Sequence, residues 1–363
     1  MGMWKQLFIG FSLILVVLVL GDEGIKQKES NICYFPAIYN FGDSGSDTGS
    51  GSAAFGLSPL PYGETFFHKP AGRACDGRLV IDFLAEQLEL PYLSGYLDSL
   101  GTNYGHGANF AVGGATIRKQ SENASQYGIT QFSLEVQIKQ FDDFKSRASD
   151  LYKQAKTAFE RSKLPVPEEF SKALYTLDIG NNDLYVGYQT LSPDQLRAAI
   201  PDMINQFVSA VRHLYKQGGR AFWIPNKSAI GCASVFQILH PNPPPGFLDR
   251  YGCVIEINDI AAEFNRQLKD RVIKLRAELP QASITYVDVY TAAYALVSSA
   301  KNEGFVDMNV ICCGYHVNNV HIPCGAKGSI NGSEVYGAPC ANPSKYLSWD
   351  GVHSTEAANQ VGC

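Results

Sequence analysis

The stretch Pro36-Ala37-Ile38-Tyr39-Asn40-Phe41-Gly42-Asp43-Ser44-Gly45-Ser46-Asp47-Thr48-Gly49 reads as a short strand running directly into a glycine-rich turn. Ile38, Tyr39 and Phe41 supply the apolar character of the strand. The glycines permit the φ angles and the close backbone approach that a reactive hydroxyl and an oxyanion site both need. Ser44 is thereby expected at the carboxyl edge of the strand, where open α/β sheets bind ligands. Taken alone, a Gly-Asp-Ser-Gly cluster also describes an ordinary turn.

Three further blocks change the reading: Asn109-Phe110-Ala111-Val112-Gly113-Gly114-Ala115-Thr116, Gly180-Asn181-Asn182-Asp183 and Trp349-Asp350-Gly351-Val352-His353. In this order, with Gly77-Arg78-Leu79, Gly231-Cys232 and Cys312-Cys313-Gly314 between them, they resemble the GDSL family of SGNH hydrolases. The resemblance is to its secreted plant esterase/lipase branch, early-nodulin-like and α-fucosidase-like members included, and covers one hydrolase domain over residues 33–363. It implies a serine hydrolase with Ser44 as nucleophile, His353 as base and Asp350 as the orienting acid. The implied oxyanion donors are the Ser44 N–H, the N–H of Gly113 or Gly114, and the Asn182 side chain; the sequence leaves both glycines open. The family implies no cofactor and no metal.

These residue types suit the chemistry. A serine hydroxyl is a poor nucleophile until an imidazole takes its proton, and the imidazole works best when a carboxylate fixes its tautomer. The three-residue spacing of Asp350 and His353 puts both side chains on one face of a helical turn or tight loop. Preorganised donors around the tetrahedral oxygen supply about 3 to 4 kcal/mol each. Asn182 by residue type would more often cap a helix or turn, and the family pattern reverses that reading. Asp43 and Asp183 could be a glycosidase pair flanking a sugar bond, but small acids in turns usually accept backbone hydrogen bonds, and that is the preferred reading.

Lys5 precedes an uncharged run from Leu7 to Leu20, followed by Gly21 and Gly24. This pattern predicts a secretory signal peptide over residues 1–24; the run is shorter than the roughly 20 residues that span a bilayer. A secreted, extracellular protein of the apoplast or cell wall follows. Sequons at Asn123, Asn226 and Asn331 are candidate glycan sites, with Asn226 the weakest because it follows the apolar strand Ala221–Ile224. Nine cysteines in an oxidising compartment imply disulfides with one thiol left over. Cys232 and Cys253 bracket a proline-rich loop and form the preferred pair. Cys312, Cys313, His316, His321 and Cys324 superficially resemble a zinc site, but pairing among these cysteines and Cys340 is the favoured reading.

The net charge is −5, charged residues make up 18% of the chain, and no basic block is present, so nucleic acid is excluded as a partner. The expected partner is a small-molecule or lipid ester, with no stable membrane span; oligomeric state is not read. Most of the nineteen tyrosines and twenty phenylalanines are assigned to the core.

Strands at 37–41, 173–179, 220–224 and 283–288 alternate with helical patterns at 79–88, 203–217 and 255–279. The alternation predicts an α/β parallel sheet covered on both faces; the resemblance implies a three-layer α/β/α, flavodoxin-like sandwich. The charged segment 142–163 is expected to be a surface helix with a solvated face. Relatives continue past the Asp-x-x-His block with a full helix, whereas this chain stops ten residues after His353. The segment from Thr355 to Val361 is therefore expected to begin an underpacked helix that holds His353 less firmly. Three function classes are carried forward: carboxylic-ester hydrolase, glycosidase, and a catalytically silent binding or defence glycoprotein.

Overall fold

A computed structural model describes residues 34–56, 58–306, 310–317 and 320–361. The expected signal peptide, Cys33 and Cys363 lie outside the described residues. Five strands, β1 (Ile38–Gly42), β2 (Gly107–Asn109), β3 (Leu174–Asp178), β4 (Ala221–Pro225) and β5 (Ser283–Val287), form one sheet in the order β2-β1-β3-β4-β5. Every neighbouring pair is parallel. This is the flavodoxin-like order, whose connections reverse direction between β1 and β3, and ligands bind such sheets at that switch point. The segment after β1 carries Ser44 and the segment after β3 carries Asn182, so both sequence blocks fall at the same crevice.

Side-chain alternation sorts the sheet into two faces. Tyr39, Phe41, Tyr175, Leu177, Phe222 and Ile224 point into the larger core, shared with the helices Leu134–Gln154, Pro193–Lys216 and Ile255–Glu278. Ile38 and Leu174 face the other way, toward the helix Val80–Gln87, Trp349 and the disulfide-linked C-terminal region. The sheet thus lies between two covering layers, as the sequence reading expected. Tyr39 stacks on Phe170 with centroids 5.1 Å apart, and Phe41 stacks on Phe110 at 5.3 Å. Such pairs add about 0.5–1.5 kcal/mol beyond the area they bury.

Four readings are corrected in detail. Segment 142–163 is solvated on one face only: the helix Leu134–Gln154 buries Phe144 and Ala148 of this segment, with Phe141 just before it, then breaks before a short helix, Ala158–Ser162, while Leu151 and Phe159 are exposed. Charged residues cover its outer face, and Leu134, Ile138, Phe141, Phe144 and Ala148 at helical spacing bury the other. The helix expected at 203–217 begins ten residues earlier, at Pro193, where Ser192 and Gln195 form a capping box and Pro201 lies within the helix. Strand β2 escaped the sequence reading because it spans three residues of Gly-Ala-Asn with no apolar run. The segment after His353 is not underpacked either, as far as Val361. The helix Glu356–Val361 buries Glu356 and Ala358, and Arg78 donates through Nε to Glu356 Oε1 at 2.8 Å. Asp76 Oδ1 accepts the Glu356 N–H at 2.8 Å, and Asn359 Nδ2 donates to the Arg78 carbonyl. A helix this short persists through such tertiary contacts.

Disulfides join Cys232 to Cys253, the expected pair, as well as Cys312 to Cys340 and Cys313 to Cys324. The last two take every cysteine of the zinc-like cluster and pin the small hairpins β6 (Tyr315–Val317)–β7 (Val320–Ile322) and β8 (Lys327–Ile330)–β9 (Ser333–Tyr336) beside the site. Cys75 is a buried free thiol.

Candidate active site

The turn after β1 is built to present one side chain. Its start leaves no room for anything larger than glycine: a Cβ on Gly42 would lie 2.7 Å from the Asp178 carbonyl and 2.2 Å from Ser46 Oγ. Gln137 clamps that glycine from the helix above, accepting its N–H at 2.9 Å and donating to its carbonyl at 2.8 Å. Below, Asn40 donates to Asn109 Oδ1 at 2.7 Å and accepts from Thr176 Oγ1 at 2.6 Å. Asn109 in turn donates to the Ser46 carbonyl at 2.6 Å and to Thr48 Oγ1 at 2.9 Å. In a dry interior an unmade bond of this kind costs about 1–3 kcal/mol, so the network fixes the turn strongly. Ser44 is partly exposed, between buried Asp43 and exposed Gly45.

Asp47 fastens the turn to the second block. Its carboxylate accepts the N–H groups of Gly49 and Ser50 on Oδ1 and those of Gly51 and Gly113 on Oδ2, all at 2.8–2.9 Å. Burial raises its pKa and these four donors oppose the rise. One consequence separates the two candidate glycines: the Gly113 N–H is spent on Asp47. Gly114 has φ +73, and its N–H has no protein acceptor among the described residues.

The third block is tied to the second. Asn182, in the first turn of the helix Asn181–Thr190, donates through Nδ2 to the Ala115 carbonyl at 2.9 Å, leaving its other amide hydrogen uncommitted. Asp183 is buried and accepts the Ile117 and Arg118 N–H groups at 2.7 and 3.1 Å. Burial pushes its carboxyl up to about 6, with those donors opposing. Asp43 is also buried, and its Oδ1 accepts the Gly45 N–H at 3.0 Å. Both acids hold loops, as the sequence reading preferred, and they do not flank an open cleft as a pair of carboxylates would to cut a sugar bond.

His353 and Asp350 come from a tight loop before the last helix. Asp350 Oδ1 accepts the N–H groups of Val352 and His353 at 3.0 and 2.8 Å, so the carboxylate shapes the turn that carries its own partner. Its Oδ2 meets His353 Nδ1 at 2.8 Å, while His353 Nε2 stands 2.8 Å from Ser44 Oγ. Burial works to raise the Asp350 pKa, but the His353 charge and these hydrogen bonds hold it below the usual carboxylate range. For His353, burial pulls the imidazole down, and the nearby Asp350 and Asp43 carboxylates more than offset this, leaving its pKa raised. Ser44, His353 and Asp350 therefore form one continuous hydrogen-bonded line with the geometry of a nucleophile, base and orienter.

Asn226 is the candidate glycan site that the fold encloses. It is buried; its amide donates to Tyr286 Oη at 3.0 Å and Asp288 Oδ1 at 2.9 Å, and its oxygen accepts the Tyr290 N–H. Modification of that nitrogen would break this network. Asn123 and Asn331 are exposed, the latter at the Asn-Gly tip of the β8–β9 hairpin. Among the described residues, no group of three or more His, Cys, Asp or Glu side chains could hold a metal ion, and no helix is long and apolar enough to cross a membrane.

A five-stranded parallel sheet of this order, with a serine, histidine and aspartate in line at its switch point, defines a hydrolase of the α/β flavodoxin-like class. The family model described as GDSL-like Lipase/Acylhydrolase matches residues 38–361, and the chain belongs to that family. A GDSL esterase/lipase of Arabidopsis thaliana is 58% identical, the match covering 96% of this chain and 90% of the relative. A protein of the same plant named Alpha-L-fucosidase 3 is 48% identical over 95% and 94%. An esterase of Hevea brasiliensis is 44% identical over 91% and 85%. The chain is accordingly a hydrolase acting on ester bonds.

Five supporting residues were missed by the sequence reading: Asn40, Tyr62, Asp47, Gln137 and, in this role, Asn109. Asp47 alone carried a usable signal, an acid three residues after Ser44 and just before a glycine-rich helix start. The others are single polar residues whose local sequence names no partner, and only the fold brings them to the site.

Proposed function

We propose that the protein cleaves carboxylic esters through an acyl-enzyme on Ser44. The observation that carries this reading is the unbroken line Asp350 Oδ2, His353 Nδ1, His353 Nε2, Ser44 Oγ, with both contacts at 2.8 Å. Ser44 Oγ attacks the ester carbonyl carbon as its proton passes to His353 Nε2. The tetrahedral intermediate collapses, the C–O bond to the alcohol breaks, and His353 returns the proton to the departing alkoxide. Water then adds to the acyl-enzyme by the same route, releasing the acid and restoring Ser44. The negative oxygen is received by the Ser44 N–H, the Gly114 N–H and the Asn182 amide. Gly114 is preferred to Gly113 because Asp47 already takes the Gly113 N–H.

The substrate is a small-molecule or lipid ester, and the protein acts outside the cell. The expected signal peptide, the three disulfides and the exposed sequons Asn123 and Asn331 support that location. The fucosidase name of one relative raises a glycosidase reading, but Asp43 and Asp183 are turned into loops here. The test is labelling with an alkylphosphonate followed by assays on p-nitrophenyl acetate and p-nitrophenyl α-L-fucoside. Phosphonylation of Ser44 with loss of ester hydrolysis is expected. Fucoside hydrolysis that persists after labelling would establish the glycosidase, and inactivity on both substrates before labelling would establish a silent binding protein.

A further inference from the structure

Asp350 makes one contact that the Ser-His-Asp line does not require. Its Oδ2, the oxygen already facing His353 Nδ1, also accepts the phenol of Tyr62 at 3.0 Å. With the N–H groups of Val352 and His353 on Oδ1, the carboxylate receives four donors, matching its roughly four lone-pair sites. The two donors on Oδ2 differ in kind: the imidazole changes charge during turnover and the phenol does not.

Tyr62 is held firmly enough for that hydroxyl to stay in place. Its ring meets buried Trp349 edge-on, with centroids 6.1 Å apart and planes at 77°. Its N–H donates to the Pro59 carbonyl, and the next residue, Gly63, donates to the Cys75 carbonyl. Tyr336, from the β8–β9 hairpin, donates its hydroxyl to the Leu60 carbonyl at 3.1 Å. The disulfide-pinned C-terminal region thus sets the segment that carries Tyr62, while Trp349 lies one residue from the carboxylate that Tyr62 addresses.

We infer that Tyr62 is a positioning residue of the hydrolytic site, a fixed donor that orients Asp350 and limits how strongly it attracts the His353 proton. This rests on the reading of Ser44, His353 and Asp350 as the hydrolytic line. A carboxylate that shares one oxygen with a phenol is less basic, and the phenol adds to the two N–H groups on Oδ1 in holding it against the imidazole. Besides Asp350, the charged group acting on His353 is Asp43; His316 on the neighbouring hairpin faces Asp350, and Cys75 lies buried near Tyr62. None of these donates to Oδ2 among the described residues.

The test is Tyr62→Phe, which removes one oxygen and keeps the ring against Trp349. Without the phenol, Asp350 holds the imidazolium more strongly, so the acidic limb of kcat/KM should move up by about half a pH unit. Held by three donors instead of four, Asp350 orients His353 less tightly, so kcat should fall about tenfold with KM within about twofold. Site-specific 3-fluorotyrosine at position 62, a stronger donor of nearly the same shape, should move the limb down. It serves as the second variant should Tyr62→Phe fail to fold. A limb that stays put in the variants that fold overturns the proposal even if kcat drops, because packing alone would then explain the loss. Titration of His353 followed by NMR in Ser44→Ala and in Ser44→Ala with Tyr62→Phe needs no substrate. A raised His353 pKa in the double variant supports the role of Tyr62 even if no ester is hydrolysed, and an unchanged one overturns it.

Discussion

His353 Nε2 stands 2.8 Å from Ser44 Oγ across 309 residues of chain, and neither side chain lies on a helix or a strand. Each is placed by a loop whose backbone N–H groups are gathered by an aspartate: Asp43 and Asp47 for the serine turn, Asp350 for the histidine turn. Loops carrying reactive groups are usually the mobile parts of a fold. Here the acids convert them into fixed supports, so a single contact between two remote loops can be kept short.

That contact yields the first prediction. Ser44→Ala removes the oxygen that His353 Nε2 addresses, so hydrolysis of short p-nitrophenyl esters should fall by about 10⁴-fold or more. Ser44 carries none of the buried network around Asn40 and Asn109, so the far-UV spectrum and melting temperature should match the parent. Turnover within tenfold of the parent would exclude the serine mechanism.

The second prediction concerns pH. His353 acts as base only when neutral, and its pKa is raised by Asp350 and Asp43 despite burial. Activity should therefore rise with pH through a midpoint above the ordinary histidine value of about 6.5. Asp350→Asn removes the nearer negative charge and the acceptor that sets the tautomer. Its midpoint should drop, with kcat lower by about 10⁴-fold. A midpoint that does not respond to Asp350→Asn would mean that another group controls the limb.

Much of this site was legible in the sequence, for a definable reason. Ser44, Asn182, Asp350 and His353 lie in short blocks whose glycines and polar residues mark turns, and turn chemistry is local. The strands β1, β3, β4 and β5 were legible because apolar runs of five or so residues bounded by glycine or polar residues leave few alternatives. What escaped depends on tertiary placement. Nothing near Tyr62 in sequence points to Asp350, 288 residues away. Gln137 resembles any polar helical residue until the fold sets it against Gly42. Phe144 falls in the charged segment 142–163, whose charges outnumber its apolar residues, and the buried stripe emerges only with Leu134, Ile138 and Phe141 from before that segment. The choice between Gly113 and Gly114 turned on Asp47, a partner that spacing could not identify.

The third prediction addresses that oxyanion pocket. Asn182 Nδ2 is already oriented by the Ala115 carbonyl, so its free hydrogen is preorganised before substrate binds. Asn182→Ala should lower kcat by about 10²–10³-fold and leave KM nearly unchanged, since the amide meets charge that develops in the transition state. A change confined to KM would reassign Asn182 to substrate binding.

The last prediction concerns stability, and it starts from the acid next to the nucleophile. Burial, with Asp178 nearby, pushes the Asp43 carboxyl up to about 7, while Lys227, the Gly45 N–H and His353 oppose the rise. In the unfolded chain the same group titrates near its ordinary value of about 3.9. Between these values the folded state binds the proton more tightly, so stability from this group is fully present below about pH 4 and is lost as pH rises toward 7. Above that, an ionised carboxylate remains buried beside another acid, with Lys227 Nζ 3.5 Å from Asp178 as the nearest ion pair. Asn at position 43 is uncharged at every pH and can keep the Gly45 N–H through its own oxygen. Asp43→Asn should therefore gain melting temperature over the parent as pH rises from 4 to 8, with little difference at the acidic end. The measurement is a pair of calorimetric series across that range. A difference that stays constant with pH would mean that Lys227 and the surrounding donors already compensate the ionised carboxylate in full.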